Sequence, residues 1–251
     1  MNAETVSTVD ESKGVALVVG AGDAIGSAIA RKFAQQGHVV CMARRNGDKL
    51  QDKIAEIEAE GGKAHAFSCD ARKEDDVVAL FKAIEEEIGA IEVVVFNVGA
   101  NVPMSILDTT SKKFFKIWEM ACFAGFLTGK EAAQYMVERG RGTIIFTGAT
   151  ASVRGGAIFG AFSSAKQGLR ALAQSMAREL GPKNIHVGHI VIDAMVDTPF
   201  INENLGAMVE AAGEDGIVDP DSLADNYVML HNQPRNCWTH ELDVRPFSEK
   251  W

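Results

Sequence analysis

Two ionisable side chains stand among apolar or small residues, where they could take part in proton transfer. Lys166 ends the stretch FGAFSSAK (159–166), one helical turn after Phe162, which has no proton to give. Asp193 follows the apolar run HVGHIVI (186–192). A carboxylate at the end of an apolar strand is costly to bury unless it is paired. The sequence therefore predicts that Asp193 is an acid/base group or a partner for Lys166.

A glycine-rich turn is the second chemical feature. The segment VVGAGDAIGSAIA (18–30) places Gly20, Gly22 and Gly26 between an apolar run and a helical pattern. Glycines let the backbone approach a pyrophosphate closely, and a helix N-terminus supplies free N–H groups and a favourable dipole. Such a turn can also be purely structural. Its position between a first strand and a first helix favours dinucleotide binding.

Alternating apolar runs and amphipathic segments must position these residues. We predict strands at 15–19, 39–43, 64–68, 91–96, 143–147 and 186–192. We predict helices from about Ile25 to a stop at Gly37, and at about 48–60, 74–88, 111–138, 160–180 and 222–230. The nearly continuous Val/Ile/Phe runs are typical of parallel strands buried on both faces. The predicted fold is α/β: a Rossmann-type, doubly wound, mainly parallel seven-stranded sheet with helices on both faces.

The chain is predicted to form a single domain over 1–251, because 251 residues suffice for one large core. Residues 1–13 are expected to be flexible, and the regular pattern breaks down over 202–221. Residues 233–251 are expected to form an edge strand and a tail, with the strand in WTHELDV (238–244). The alternative is substrate recognition by this region, through His231, Trp238 or His240.

Composition excludes several functions. The net charge of −9, with no basic stripe, argues against nucleic-acid binding and against attraction to anionic membranes. The N-terminus has no signal-peptide pattern and no apolar run is long enough to span a bilayer, so we expect a cytoplasmic protein. His186 and His189 point to opposite faces of one strand, and we expect no metal. Reduced thiols are expected because the cysteines are irregularly spaced: Cys41, Cys69, Cys122 and Cys237.

Taken in order, the motifs resemble those of the short-chain dehydrogenase/reductase family over about residues 14–200. The matching segments are the glycine turn 20–26, CDA with Asp70, NVG (97–99), TIIFTGATAS (143–152), the helix with Lys166 and DTP (197–199). The glycine turn departs from the family pattern at Ala24, where a methyl group replaces the hydrogen of a glycine. The resemblance implies an oxidoreductase that uses NAD(P) and acts on a small molecule.

The cofactor preference depends on the end of the second strand. There, a carboxylate would bind the ribose hydroxyls of NAD, whereas an arginine accommodates the 2′-phosphate of NADP. The strand ends in Arg44 and Arg45, so NADP(H) is favoured and NAD(H) is possible. Asp23 would repel the phosphate unless one of these arginines pairs with it. The two arginines could also simply lie in solvent at a strand end.

The resemblance implies further cofactor contacts. Asp70 matches the adenine contact, Asn97 and Gly99 the loop behind the adenosine ribose, and Thr198 the carboxamide contact. The complete implied set is Gly20, Gly22, Asp23, Ile25, Gly26, Arg44, Asp70, Ala71, Asn97, Gly99, Lys166 and Thr198. Two of these have structural alternatives, since Asp70 could cap a helix and Thr198 could order a turn.

The catalytic positions depart from the family. Lys166 matches the lysine that binds the nicotinamide ribose, but Phe162 stands in place of the tyrosine, Ala149 of the serine and Cys122 of the asparagine. A positioned acid is typically worth about 10² to 10⁴ in rate, so its loss matters. Lys166 itself, Asp193 and Thr150, which neighbours Ala149, are the candidate replacements.

Three functions remain open on this basis. In the first, the protein is an oxidoreductase in which another group supplies the proton, or in which the substrate is an iminium or contains an activated double bond. Alternatively, it is a catalytically silent dinucleotide-binding protein, or it carries out a non-redox reaction. By resemblance, residues of about 194–232 form a substrate lid. A homodimer or homotetramer is expected through the long helix and the Lys166 helix.

Overall fold

The computed structural model describes residues 13–250, so the segment predicted to be flexible lies outside these residues except for Lys13. The strands in this range are β1 (Val15–Val19), β2 (Val39–Arg44), β3 (Lys63–Ser68), β4 (Ile91–Phe96), β5 (Gly142–Thr147), β6 (Ile185–Ile192) and β7 (Glu241–Val244). The α-helices in this range are α1 (Ile25–Gln35), α2 (Gln51–Ala59), α3 (Glu74–Glu87), α4 (Ser111–Trp118), α5 (Ala124–Arg139), α6 (Gly160–Leu180), α7 (Pro199–Ala212) and α8 (Pro220–His231).

The seven strands form one sheet in the order β3-β2-β1-β4-β5-β6-β7. Every pairing between neighbours is parallel. The direction of winding reverses between β1 and β4, and ligands of such sheets bind outside the carboxyl ends of the strands at this point. The predicted doubly wound, seven-stranded α/β sheet is confirmed.

Two cores lie on opposite faces of the sheet, which explains the continuous apolar runs. Leu17 packs on the face covered by α3, α5 and α6, where Phe81 and Leu169 are buried. Its neighbour Val18 packs on the other face, covered by α1, α2 and α8, where Phe33 and Tyr227 are buried. Successive residues of one strand point to opposite faces, so both must be apolar.

The stretch beyond Pro199 is more regular than the sequence pattern predicts. Helix α7 occupies the first part of the segment 202–221. Thr198 is its N-cap, and its Oγ1 accepts a hydrogen bond from Ile201 N at 3.2 Å. No residue of α7 is fully buried. A helix without a buried face shows little hydrophobic periodicity, which is why the sequence did not reveal it.

The predicted long helix over 111–138 is interrupted by a π-helical turn at Glu119–Phe123, between α4 and α5. Cys122 lies in this turn and is buried. The predicted edge strand over 238–244 is shorter than expected, because only Glu241–Val244 pair with β6. In the part of the chain that the structure describes, no helix is long and apolar enough to cross a membrane.

Candidate active site

A cavity of about 510 Å³ lies at the carboxyl ends of β1 to β4. Its floor is the glycine turn, where two glycines are required. A Cβ on Gly20, which has φ +89°, would lie 2.8 Å from the Asn97 carbonyl carbon, and one on Gly26 would lie 2.7 Å from Ala21 Cα. A Cβ added at Gly22 or at Gly99 would have no atom within 4 Å. The turn is thus tight on its protein side and open towards the cavity, as a phosphate-binding loop requires.

Several charged side chains line this cavity: Arg44, Arg45, Lys49, Asp70 and Arg72. Arg44 Nη1 lies 3.5 Å from Asp23 Oδ1, so the pairing that would relieve repulsion of a phosphate is present. Arg72 Nε donates to Asp70 Oδ1 at 2.8 Å. This hydrogen bond lowers the pKa of Asp70, which stays ionised. With both acids paired to an arginine, Arg45 and Lys49 leave the cavity cationic.

The predicted cofactor residues are not all at this cavity. Gly20, Gly22, Arg44, Asp70, Ala71, Asn97 and Gly99 line it. Asn97 Nδ2 donates to Gly20 O at 3.2 Å and fixes the glycine turn from behind. Ile25 begins α1 and Thr198 caps α7, so the structural role considered for Thr198 is observed. Asp23 and Gly26 do not line the cavity: Asp23 pairs with Arg44, and Gly26 packs against Ala21 within the turn.

The ammonium group of Lys166 is buried beside the ends of β4 and β5. Its Nζ donates to Thr147 O at 2.8 Å and to Val98 O at 3.3 Å. Burial lowers the pKa of Lys166 to about 8. The Phe162 ring centroid is 6.0 Å from Nζ. A lysine with such a pKa can hold or release a proton near neutral pH.

Asp193 pairs with other groups than Lys166, so of its two predicted roles the pairing with Lys166 is not observed and the acid/base role stays a prediction. Its carboxylate, 1% exposed, accepts a hydrogen bond from Thr150 Oγ1 at 2.7 Å. Arg154 donates to both its oxygens, each at 3.0 Å, and Arg245 Nη1 lies 3.5 Å from Oδ2. The turn after β5 and the segment after β7 bring these guanidinium groups over the end of β6. Asp193 therefore pairs with the arginines that lie beside it at this edge of the sheet.

The positions matched to the serine, tyrosine and asparagine form an apolar cluster. Phe162 and Cys122 are buried together with Ala100, and Ala149 packs against them. Burial raises the pKa of the Cys122 thiol, so it stays protonated. Side chains near this cluster that can exchange a proton include Lys166 and the Thr150 hydroxyl, together with the carboxylate that Thr150 contacts.

Comparison with known proteins decides the family. The sequence profile of the short chain dehydrogenase family matches residues 14–207. The chain belongs to this family. It is therefore among the NAD(P)-dependent oxidoreductases.

Relatives of this short-chain dehydrogenase support the assignment. A short-chain dehydrogenase/reductase of Armillaria gallica is 36% identical over 176 residues, 69% of this chain and 67% of that protein. The crystal structure of a short-chain dehydrogenase from Rhodopseudomonas palustris is 50% identical, with a TM-score of 0.81, and the match covers 93% of this chain and 99% of that one. A metagenomic short-chain oxidoreductase in complex with NADP is 27% identical, with a TM-score of 0.80 and coverages of 94% and 99%.

The C-terminal candidates lie away from the active site of this short-chain dehydrogenase. His231 Nδ1 is 2.9 Å from Thr143 Oγ1, near the start of β5. Trp238 stacks on His186, near the start of β6, with ring centroids 4.9 Å apart. The site lies at the opposite ends of these strands. The structure thus favours the interpretation of this region as an edge strand and packing segment.

Sequence reasoning missed four residues of the dehydrogenase site. Lys49 and Arg72 line the adenosine side, and Arg154 and Arg245 bind Asp193. Arg72 lies two residues after Asp70, and Arg154 follows TGATAS. Both positions come shortly after predicted strands, so the sequence could have identified them as candidate site residues. Arg245 lies on a segment far along the chain, and nothing in its local sequence indicates its partner.

Proposed function

We propose that the protein binds NADP(H) and transfers hydride between it and a small organic substrate, with a proton path that does not use a tyrosine. One observation carries this proposal: the ammonium of Lys166 is held by backbone carbonyls just after β4 and at the end of β5, and one of these, Val98 O, belongs to a residue that lines the cavity above the glycine turn. A structural lysine would gain nothing from this costly burial.

The preference for NADP(H) rests on charge. A 2′-phosphate adds about two negative charges next to the adenosine ribose, and Arg44, Arg45 and Lys49 lie at the end of β2 and just beyond it. Arg44 also neutralises Asp23. The relative solved with NADP supports the same preference. NAD(H) lacks the phosphate and would bring no charge to compensate Arg45 and Lys49.

The bound nicotinamide would supply or accept the hydride. Lys166 would hold the hydroxyls of its ribose, as the family resemblance implies. The hydroxyl of Thr150 has one hydrogen, and it is donated in the hydrogen bond to Asp193. A carboxylate that is bound by two guanidinium groups acts only as an acceptor. The lone pairs of Thr150 Oγ1 are then available to a substrate O–H or N–H.

In the oxidation of an alcohol, the substrate O–H bond would break and its proton would pass to Thr150 Oγ1. The proton of Thr150 would pass at the same time to Asp193 Oδ1, and the hydride would leave the carbon. Reduction follows the reverse path. Substrates that carry their own positive charge or an activated double bond depend less on an acid at the oxygen, so they also suit this site.

A second function, dinucleotide binding without turnover, is favoured by one observation. Three positions of the usual catalytic tetrad are occupied by Ala149, Phe162 and Cys122, which pack into one apolar cluster. Such packing stabilises the fold without any need for catalysis. In this case the protein would act as a sensor or as a regulatory subunit.

A fluorescence titration with NADPH and, separately, NADH tests the cofactor proposal first. Micromolar binding of NADPH with weaker binding of NADH supports it, and no binding of either contradicts it. A screen of ketones, enones and iminium compounds with the bound cofactor then separates the two functions. Turnover of any class supports the oxidoreductase, whereas tight binding with no turnover across all classes favours the silent protein.

We also propose a homodimer or homotetramer. Four aromatic rings of α4, the π-helical turn and α5 stack in a row, and Phe115 and Phe126 of this row are exposed. An exposed aromatic row is costly in water, and a second copy would cover it. Within the predicted lid segment 194–232, α8 packs into the core and only α7 remains the proposed lid, with Phe200 and Met208 exposed and available to contact substrate.

A further inference from the structure

His189 is a fully buried histidine whose two ring nitrogens have different surroundings. Its Nδ1 lies 3.0 Å from Glu241 Oε2 on the neighbouring strand β7. Its Nε2 has no hydrogen-bond partner among the residues that the structure describes. Buried polar atoms without a partner are rare in folded proteins, and an ordered water is a common explanation.

The contacts of Glu241 fix the tautomer of His189. Arg170 donates to both oxygens of Glu241, at 2.7 and 2.6 Å, and this holds the pKa of Glu241 below its usual range. An ionised carboxylate only accepts, so the proton of the ring is on Nδ1. Burial lowers the pKa of His189 to about 4, and the ring is neutral at pH 7. Its Nε2 therefore presents a bare lone pair.

Lys166 offers a spare donor, and its charge acts on this ring by lowering the pKa of His189 further. Lys166 Nζ carries three hydrogens when charged, and the two carbonyl contacts use two of them, so one is available as long as no cofactor is bound. One of those carbonyls, Thr147 O, belongs to the peptide that joins Thr147 to Gly148. A Cβ on Gly148 would lie only 2.5 Å from His189 Nε2. The ammonium and the imidazole thus approach the same peptide unit.

Cys122 is a weaker candidate partner for Lys166. Cys122 is close enough for its thiol to interact electrostatically with the ammonium, but burial raises its pKa and a thiol is a weak hydrogen-bonding group. The groups that act on His189 are Glu241 on β7, His240 just before that strand and Lys166 on α6, and Arg170 acts through Glu241. Among these, Glu241 is partly exposed and can exchange protons with solvent.

We propose that a water molecule joins Lys166 Nζ to His189 Nε2, and that His189 and Glu241 carry protons between Lys166 and solvent. Outward, an N–H bond of Lys166 breaks and its proton reaches Nε2 through the water. The Nδ1–H bond then breaks and its proton passes to Glu241 Oε2, from which it leaves to solvent. The inward path reverses these steps and restores the ammonium. His189 acts through Lys166, so the relay rests on the proposed function of Lys166.

The exchange of the Lys166 ammonium hydrogens with water tests the relay without any substrate. It is measured by NMR on the full chain with 15N-labelled lysine and no cofactor. In His189→Gln, the amide can still donate to Glu241 but cannot pass a proton on. We expect exchange to slow at least tenfold, with the matched control His186→Gln, another buried histidine of β6, within twofold of the wild type. Equal rates in the two variants would overturn the relay.

A measurement on the wild type decides the case if His189→Gln does not fold. The 15N shifts of the His189 ring should show Nδ1 protonated and Nε2 bare at pH 7, and the opposite tautomer would overturn the proposal. An NADPH titration of the same samples separates the two levels of inference. A protein that exchanges through His189 but binds no NADPH contradicts the proposed function and leaves the relay standing.

Discussion

The proposed adenosine end and the proposed hydride-transfer end of the cleft differ in how they are built. At the adenosine end, glycines, an asparagine and basic residues occupy the positions that the sequence motifs predict, and they line one cavity. At the other end, only Lys166 stands where the motifs predict a functional group, and the neighbouring positions are apolar. The comparison teaches that cofactor recognition and proton chemistry can change independently on one sheet edge.

The largest effect is expected from restoring the missing acid. In Ala149→Ser combined with Phe162→Tyr, a hydroxyl pair would again face the substrate carbonyl, and carbonyl reduction with NADPH should rise by about 10². The rate is measured with the ketones of the screen. Phe159→Tyr, which adds a phenol on the same segment, is the control. A rise of less than tenfold would show that the missing acid does not limit the reaction.

Replacement of Lys166 should affect both cofactor binding and turnover. Lys166→Met removes the charged contact to the nicotinamide ribose, and a hydrogen bond to a charged group is worth about 1.5 to 3 kcal/mol. We expect NADPH affinity to fall by about ten- to a hundredfold, together with turnover. Lys130→Met, which alters an exposed lysine of α5, serves as the control. Unchanged affinity would mean that the buried ammonium does not face the cofactor.

Acid should destabilise the protein through histidines that are buried in the neutral form. Burial, followed by repulsion from His38 and His186, lowers the pKa of His231 to about 4, against an ordinary value of 6.5. Between these values the unfolded chain binds more protons, so stability falls as the pH drops from 6.5 towards 4. At pH 5 the loss from His231 is about 2 kcal/mol.

Denaturant unfolding at pH 7 and pH 5 measures this loss, and His231→Gln should reduce it by about 2 kcal/mol. The control is His65→Gln, a histidine of the edge strand β3. An equal loss in wild type and His231→Gln would show that His231 titrates normally. Because His231 lies at the far edge of the sheet, cofactor affinity at pH 7 should not change in this variant.

The smallest effect concerns the adenosine end alone. Arg44→Ala should weaken NADPH binding by about tenfold, because a charge-assisted contact to the 2′-phosphate is lost, and should leave NADH binding nearly unchanged. The two titrations of the proposed function measure this. Lys53→Ala removes a cation of α2 that pairs with Glu56, and should leave both affinities as they are. A parallel loss for both cofactors would remove Arg44 as the discriminating residue.

The fold and the adenosine end could be predicted because local patterns determine them. All six strands predicted before residue 193 agree with the structure to within one residue at each end. Gly20 and Asn97 are constrained by contacts between adjacent strand ends, which the motif order already implies. A resemblance of motifs is therefore sufficient there.

The hydride-transfer end could not be predicted, because its contacts join distant parts of the chain. Asp193 is held by Arg154 and Arg245, which come from two separate segments. His189 is linked to Arg170 only through Glu241 on the last strand. Single-sequence patterns contain no information about which of several charged residues will meet. Pairing of this kind becomes visible only when β6 and β7 are placed side by side.

The π-helical turn at Glu119–Phe123 has a consequence for how a mutation can change this site. A wide turn amounts to one inserted residue, and one residue of an α-helix rotates the following side chains by about 100°. Deleting a single codon in this stretch would restore a regular α-helix. The side chains beyond the deletion would then point away from their present neighbours. A small change in gene length could thus alter the environment of Lys166 without touching any residue that binds it.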